Sequence, residues 1–375
     1  MEKHIWELNL DSKISIKITD KFQKIVWSEI HGEVYPLARR LKIQPSRLYD
    51  YFLHGKLWVP LKVMIDISKE LKISLLNMEK NVISYGQMYV PYRVCIKDPI
   101  LPIKISPYLT SIVSNLYFDG SLPKDGKGSY YNQKDREVMR GFSKRLEAVF
   151  GKMYYTNELD HKGVIKHRHP RIVGEICKSI YNVNSFSSKE SKLTKVLQKL
   201  SKDHKISFIL MAILDEGSIA YDGTIMFGVY NKDLCEGVRK LCIKVGLEVG
   251  DLKRKKGSGF YYFHIKSREK LYLLCKSISK KYPLITIGKK EERLKISLQI
   301  KKQKYKNTKE FSENRKRKII KETQLKPCSI NCLSIKFLIP PRSIRRYMCE
   351  LIEEKKVKRE KKGKEYIYST TTKFI

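Results

Sequence analysis

The sequence predicts an α+β protein built around a duplicated unit of helix, strand pair, helix, strands and helix, with a small, mainly helical domain before it and another after it. Three observations predict this. Ile112–Ser121 (IVSNLYFDGS) and Ile209–Ser218 (ILMAILDEGS) are apolar, helix-like runs that each close on an acid, a glycine and a serine, and their acids, Asp119 and Glu216, stand 97 positions apart. The same landmarks follow each run: Tyr131-Asn132, Lys134-Asp135 and Cys177-Lys178-Ser179-Ile180 after the first, Tyr230-Asn231, Lys232-Asp233 and Cys275-Lys276-Ser277-Ile278 after the second, with acid-to-cysteine spacings of 58 and 59. The third observation is charge: 77 Lys+Arg against 39 Asp+Glu, a formal net charge of +38. Such a field opposes its own compact state and points to a polyanionic partner.

The 375 residues suit about two to four domains. The expected division is 1–85, a helical domain; 86–195 and 196–300, the two repeats; and 301–375, a linker and a C-terminal domain. A hydrophobic content of 42% supplies real cores and excludes a disordered basic protein. There is no membrane-length apolar run, and MEKHIWELNLDSK lacks a signal-peptide core. The expectation is therefore an intracellular, cytoplasmic protein with no membrane partner, nucleoid-associated if the source is prokaryotic. The eight cysteines form no CxxC pair and read as small core hydrophobes. His161, His167 and His169 crowd together without a cysteine to complete a metal set.

Residues 1–20 alternate loosely and predict a strand or an arm, and from Phe22 the pattern turns helical. Val34–Lys42 is a short amphipathic helix, Pro45–Tyr51 a second beginning at a proline with Gly55 near its end, and Leu61–Leu71 a third. Two short helices across a tight turn resemble a repressor-type helix-turn-helix. That resemblance places Ser46, Arg47, Tyr49 and Asp50 on the base-facing side. Prolines 91, 99, 102 and 107 make residues 81–107 an expected extended linker.

Within the repeats, Tyr221–Tyr230 (YDGTIMFGVY) is a turn followed by a β-rich, partly alternating run, and Gly259–Lys266 (GFYYFHIK) is another strand after the basic turn Lys253–Gly257, which carries Lys253 and Arg254. Alternation assigns one strand face to the helices and leaves the other for a DNA groove. Lys166 and Lys266 fall near strand ends, where they could steady a phosphate, in registers that differ between repeats.

With these motifs, residues 100–300 resemble the LAGLIDADG homing endonuclease family in its single-chain, two-repeat form. The resemblance implies αββαββα repeats, saddle-shaped antiparallel sheets, motif helices packed at a pseudo-dyad, and a monomeric core. It also implies that Asp119 and Glu216 are catalytic and hold Mg2+ or Mn2+. Physical chemistry gives these acids a similar need. A carboxylate at a helix C-terminus faces the negative end of the dipole, at about 0.3–1 kcal/mol, and two such acids repel. Some cation should compensate, and a hard, oxygen-seeking metal would do so. The motifs also depart from the family: the acid two places before the last is Tyr117 and Leu214, Asp215 stands where a small residue is usual, and the small helix-packing position is Ser114 and Met211.

Lys289–Lys318 is expected to end the core as a basic linker. Beyond it, helices at Arg315–Thr323, Cys328–Phe337 and Pro341–Lys355 precede a basic hairpin, and this order resembles a winged helix. That resemblance puts Arg342, Ser343, Arg345 and Arg346 at the groove and Lys361, Lys362 and Lys364 on phosphates. The expected partner is double-stranded DNA, with RNA set behind it. Two functions follow: a site-specific, Mg2+-dependent DNA endonuclease, or a non-cleaving transcription regulator that keeps the core as a reading platform.

Overall fold

The computed structural model describes the chain apart from residues 11–12, 88–94, 124–127, 188, 303–308, 364 and 372–375, and gives backbone alone at 301–302 and 309–311. Two helices, Pro107–Tyr117 and Lys202–Glu216, pack against each other at its centre. Nearly every side chain of the first, and Ile206–Leu214 of the second, is buried. Helices that are apolar or small-residued all round must be covered on all sides, and here each helps to cover the other. The first begins where Ser106 accepts the Leu109 N–H, with Pro107 in the first turn. Near these helix starts, Thr110 Oγ1 lies 2.7 Å from His204 Nδ1 and ties the pair together.

Each central helix feeds a four-stranded antiparallel sheet. The first comprises Gly120–Ser121, Ser129–Gln133, Thr156–Leu159 and Ile165–His169, and the second Gly217–Ile219, Ile225–Val229, Lys253–Arg254 and Tyr261–Ile265. Both place their strands in the same spatial order, first-second-fourth-third. Helices Arg136–Phe150 and Lys232–Lys244 follow the second strands, and Arg171–Tyr181 and Arg268–Lys281 follow the fourth. The registers also correspond. Gly120 faces Tyr131, which faces His167; Gly217 faces Phe227, which faces Phe263. Tyr131 is therefore matched by Phe227 and not by Tyr230, which lies past its strand with an exposed ring.

The described residues of 81–107 are not a linker, and Pro91 lies outside them. Val82–Gln87 and Cys95–Lys97 belong to a five-stranded sheet ordered Val59–Pro60, Ile14–Ile18, Val82–Gln87, Cys95–Lys97 and Lys152–Met153, and Ile103–Lys104 pairs with Glu2–Lys3. Pro99 and Pro102 fall between strands and Pro107 opens a helix, so none of them needs a ladder N–H. Helices Asp20–Ile30, Val34–Leu41, Pro45–Leu48, Leu61–Glu70 and Leu75–Lys80 lie in sequence between the strands Ile14–Ile18 and Val82–Gln87, and Pro45–Leu48 runs directly into a wider π-type turn, Tyr49–Leu53.

Nor is Lys289–Lys318 a linker throughout. Lys289–Lys302 is a helix that buries Leu294, Ser297, Leu298 and Ile300; its apolar residues alternate with polar ones, a strand-like spacing that does not announce a helix. After it, helices Lys309–Leu325, Ile330–Phe337 and Pro341–Glu353 enclose a separate core of Ile319, Leu333, Ile344, Tyr347, Met348 and Leu351. This body carries a three-stranded antiparallel sheet in the order Cys328–Ser329, Glu365–Thr370, Val357–Lys362. No helix of the described residues is long and apolar enough to cross a membrane.

Candidate nucleic-acid interface

The two acids sit where the central helices turn into the sheets. Glu216 is the last residue of its helix, and Asp119 lies two beyond the end of the other. The glycine after each acid is a steric requirement. A Cβ at Gly120 would stand 2.6 Å from Leu116 Cα, and one at Gly217 would stand 2.6 Å from the Ile213 carbonyl oxygen. The strand departs so close to the last helical turn that a side chain has no room.

Between these helix ends lies a group that sequence reasoning missed. The Lys290 ammonium donates to the carbonyls of Ile213, Leu214 and Gly217 at 2.9, 2.5 and 2.6 Å. They lie at the last turn of the helix and the residue just past it, where the negative end of the dipole lies; the Ile213 carbonyl also accepts the Gly217 N–H. Nothing in the sequence separates Lys290 from its many lysine neighbours.

Asp215 departs from the motif, and the structure gives it a role. Its two carboxyl oxygens accept from Tyr131 Oη at 2.6 Å and Asn115 Nδ2 at 2.8 Å. Asn115 in turn accepts from the buried Arg145 guanidinium at 2.7 Å, and Arg145 also donates to the Leu284 carbonyl at 2.9 Å. The network joins both central helices and both halves of the core. Burial pulls Arg145 down to about 10.

The carboxyl groups share one electrostatic environment. Burial pushes Asp119 up to about 6, with Lys290 opposing. Burial, and then the Asp119 charge, push Glu216 up to about 7, again against Lys290. Asp215 is held well above the ordinary carboxylate range, by withdrawal from water first and by Asp119 second. Burial lowers Lys290, and the charges of Asp215, Asp119 and Glu216 oppose that shift.

The metal that the LAGLIDADG resemblance implies fits these residues poorly. Both oxygens of Asp215 are engaged, and a fixed ammonium already supplies positive charge at the centre. Among the described residues no group of three or more His, Cys, Asp or Glu is placed to hold a metal ion. The histidines do not change this: His167 and His169 are buried beneath the first sheet, against Phe142.

The outward faces of the sheets have a different chemistry. Tyr130, Asn132, Lys166 and Arg168 alternate with the buried Ser129, Tyr131, His167 and His169. Met226, Tyr262 and His264 alternate with Ile225, Phe227, Phe263 and Ile265 in the second sheet. Lys166 holds its ammonium 4.1 Å from the centre of the Tyr130 ring. Its register counterpart is Tyr262, since Lys266 lies beyond the strand with its N–H on the Glu248 carbonyl. Lys253 and Arg254 are exposed on the edge strand, with Arg254 5.9 Å over the Tyr261 ring.

In the N-terminal segment Ser46 and Arg47 are exposed, while Tyr49 and Asp50 are half-buried and the Tyr49 ring packs on Trp27 with centroids 5.3 Å apart. In the C-terminal body Arg342, Arg345 and Arg346 are exposed on helix Pro341–Glu353, Ser343 is half-buried, and Arg346 reaches Glu350 at 3.7 Å. Lys361 and Lys362 are exposed at the hairpin end; Lys364 lies outside the described residues.

Fold and site together define a mixed helix-and-sheet protein with antiparallel sheets and an acidic centre at the junction of two packed helices. Neither a family model nor a curated protein matches the chain. Among solved structures, the chain is similar to I-DmoI in complex with DNA and Mn, at 13% identity over 47% of this chain and 98% of that one, with a TM-score of 0.34. It is also similar to full-length DUF199/WhiA from Thermatoga maritima, at 10% identity over 66% and 90% of the two chains, TM-score 0.36. The N-terminal LAGLIDADG domain of DUF199/WhiA is similar at 13% identity over 48% and 84%, TM-score 0.33.

Proposed function

We propose that the chain is a sequence-specific, double-stranded DNA-binding protein whose core is a duplicated LAGLIDADG-like reading platform, monomeric through its internal pseudo-symmetry. The observation that carries this reading is the correspondence of the two sheets. Equal strand order and register give each a buried inner face and a half-exposed outer face, of Tyr130, Asn132, Lys166 and Arg168 in the first sheet and of Met226, Tyr262 and His264 in the second. Side chains on alternate strand positions suit base edges in the major groove, and the +38 charge suits phosphates. In this reading Ser46 and Arg47 belong to a helix-turn-helix-like module. Arg342, Arg345 and Arg346 line a winged-helix groove face whose wing carries Lys361 and Lys362.

The test is selection of bound duplexes from a random pool by the full chain. A long, bipartite consensus is the expected result; enrichment of nothing beyond non-specific sequence would overturn it.

A second reading is hydrolysis of the bound duplex. It is favoured by Asp119 and Glu216 both lying where the helices turn into the sheets. Incubating the selected duplex with Mg2+ or Mn2+ tests it: double-strand breaks made by the wild type and not by Asp119→Asn support it, and an intact duplex sinks it.

A further inference from the structure

We propose that Lys290 is a built-in counter-cation that stands in for a divalent metal at the acidic centre, so that the core engages duplex DNA without metal and leaves it uncut. The part concerning DNA rests on the function proposed above; the part concerning metal does not.

The ammonium is fully committed where it stands. Three donor contacts, to Ile213, Leu214 and Gly217, use all three N–H groups that a protonated lysine possesses. The group has no proton left for a phosphate, which separates it from a lysine that assists phosphodiester chemistry directly. It is also held in place. Lys289 pairs with Asp135 at 3.3 Å, the Leu284 carbonyl receives Arg145, and Leu294 is buried in the main core one turn further along. The backbone that carries Lys290 is thus anchored to both halves of the core, and its ammonium cannot swing aside without giving up the Ile213, Leu214 and Gly217 carbonyls.

The charge then decides the chemistry. Two acids at converging helix ends call for a cation, and one is supplied covalently by the chain itself. It occupies the carbonyls at the negative end of the second central helix. A divalent ion arriving there would meet a fixed like charge and only two carboxylates able to receive it.

The experiment uses the full chain and Mn2+ alone as the probe, read by paramagnetic resonance of bound Mn2+ and by thermal unfolding. The wild type is expected to bind no stoichiometric Mn2+ and to melt at the same temperature with or without it. Lys290→Met is expected to melt lower and to gain about tenfold or more in Mn2+ affinity, as befits removal of an opposing charge at close range, and Asp119→Asn added to Lys290→Met should abolish the gain. Stoichiometric Mn2+ on the wild type that Asp119→Asn removes would overturn the inference, whatever the protein does with DNA. A folded Lys290→Met that gains no affinity would overturn it too. If Lys290→Met does not fold, the wild type decides alone: stoichiometric Mn2+ on it overturns the inference, and none supports it. Binding of the selected duplex is expected to be equal in EDTA and in Mg2+, and binding that requires Mg2+ would overturn the inference. If no duplex is selected, the DNA-binding reading fails and the Mn2+ measurements still decide the role of Lys290.

Discussion

Ser114 donates its hydroxyl proton to the backbone carbonyl of Phe208, 2.8 Å away across the contact between the two central helices. Ser114 is fully buried, as is Met211, the residue at the same motif position in the other helix. The serine is small enough to reach the backbone of the other helix, and it marks that approach with a hydrogen bond. Ser114→Ala should cost about 1 kcal/mol, the usual net value of such a bond. Ser114→Leu should cost more, about 1–3 kcal/mol from overpacking. Denaturant midpoints at unchanged slope measure both, and a Leu variant as stable as the wild type would mean that the helices are not closely packed there.

The glycines after the acids make a sharper test. Gly120→Ala and Gly217→Ala each force a Cβ against backbone atoms of the preceding helix, and each should destabilise by about 1–3 kcal/mol. Gly163→Ala, whose Cβ would meet nothing but whose φ is +71°, serves as the comparison for backbone strain alone. The steric account fails if Gly163→Ala proves the more damaging.

Acid sensitivity should come from the buried histidines. Burial holds His167 down to about 4 and His169 down to about 3, against an ordinary 6.5. A depressed folded-state value favours the neutral ring. The stability it contributes is therefore fully present above pH 6.5 and is lost as pH falls towards the folded value. Asp119 and Glu216, shifted upwards, act in the opposite sense over the same window, so a difference between variants is the right measurement. His167→Phe copies Phe263, its register counterpart. Its stability relative to the wild type should rise by roughly 2 kcal/mol between pH 7 and pH 5 and stay level above pH 7. A pH-independent difference would mean that His167 does not titrate in the fold.

On DNA, the exposed hairpin lysines and helix arginines should separate by kind. Lys361→Ala and Lys362→Ala should weaken binding to all duplexes alike, and each should reduce the slope of log affinity against log salt by about 1. Arg342→Ala and Arg345→Ala should instead change which bases are enriched on re-selection. An arginine variant that loses affinity with an unchanged consensus would place that residue on the phosphates.

Legibility in the sequence followed the strength of local pattern. The central helices were visible because Ile209–Leu214 is wholly apolar and Ile112–Leu116 sets Ile, Val and Leu around Ser114 and Asn115, and the C-terminal hairpin because Gly363 marks a turn ahead of the β-prone Tyr366-Ile367-Tyr368. Strands of two or three residues, such as Cys95–Lys97 and Lys152–Met153, have no period to detect, and prolines around the first made it look unstructured. Residue identity also misled: Tyr131 and Tyr230 are alike as letters, yet strand register matches Tyr131 to Phe227. The acids of the centre could be named because they end the motifs. Lys290 could not, since its meaning lies in three carbonyls that are more than 70 positions away in the chain.

The five-stranded sheet also sets a timetable for synthesis. Its strand Cys95–Lys97 has its outer neighbour in Lys152–Met153, some 55 residues later in the chain. At about 5–20 residues per second, that neighbour is made roughly 3–11 s after the strand it completes. Throughout that interval the nascent chain presents an unpaired β-edge of the kind that recruits other chains. Lys97 is exposed on that edge, and a charged side chain in such a place disfavours pairing with another chain.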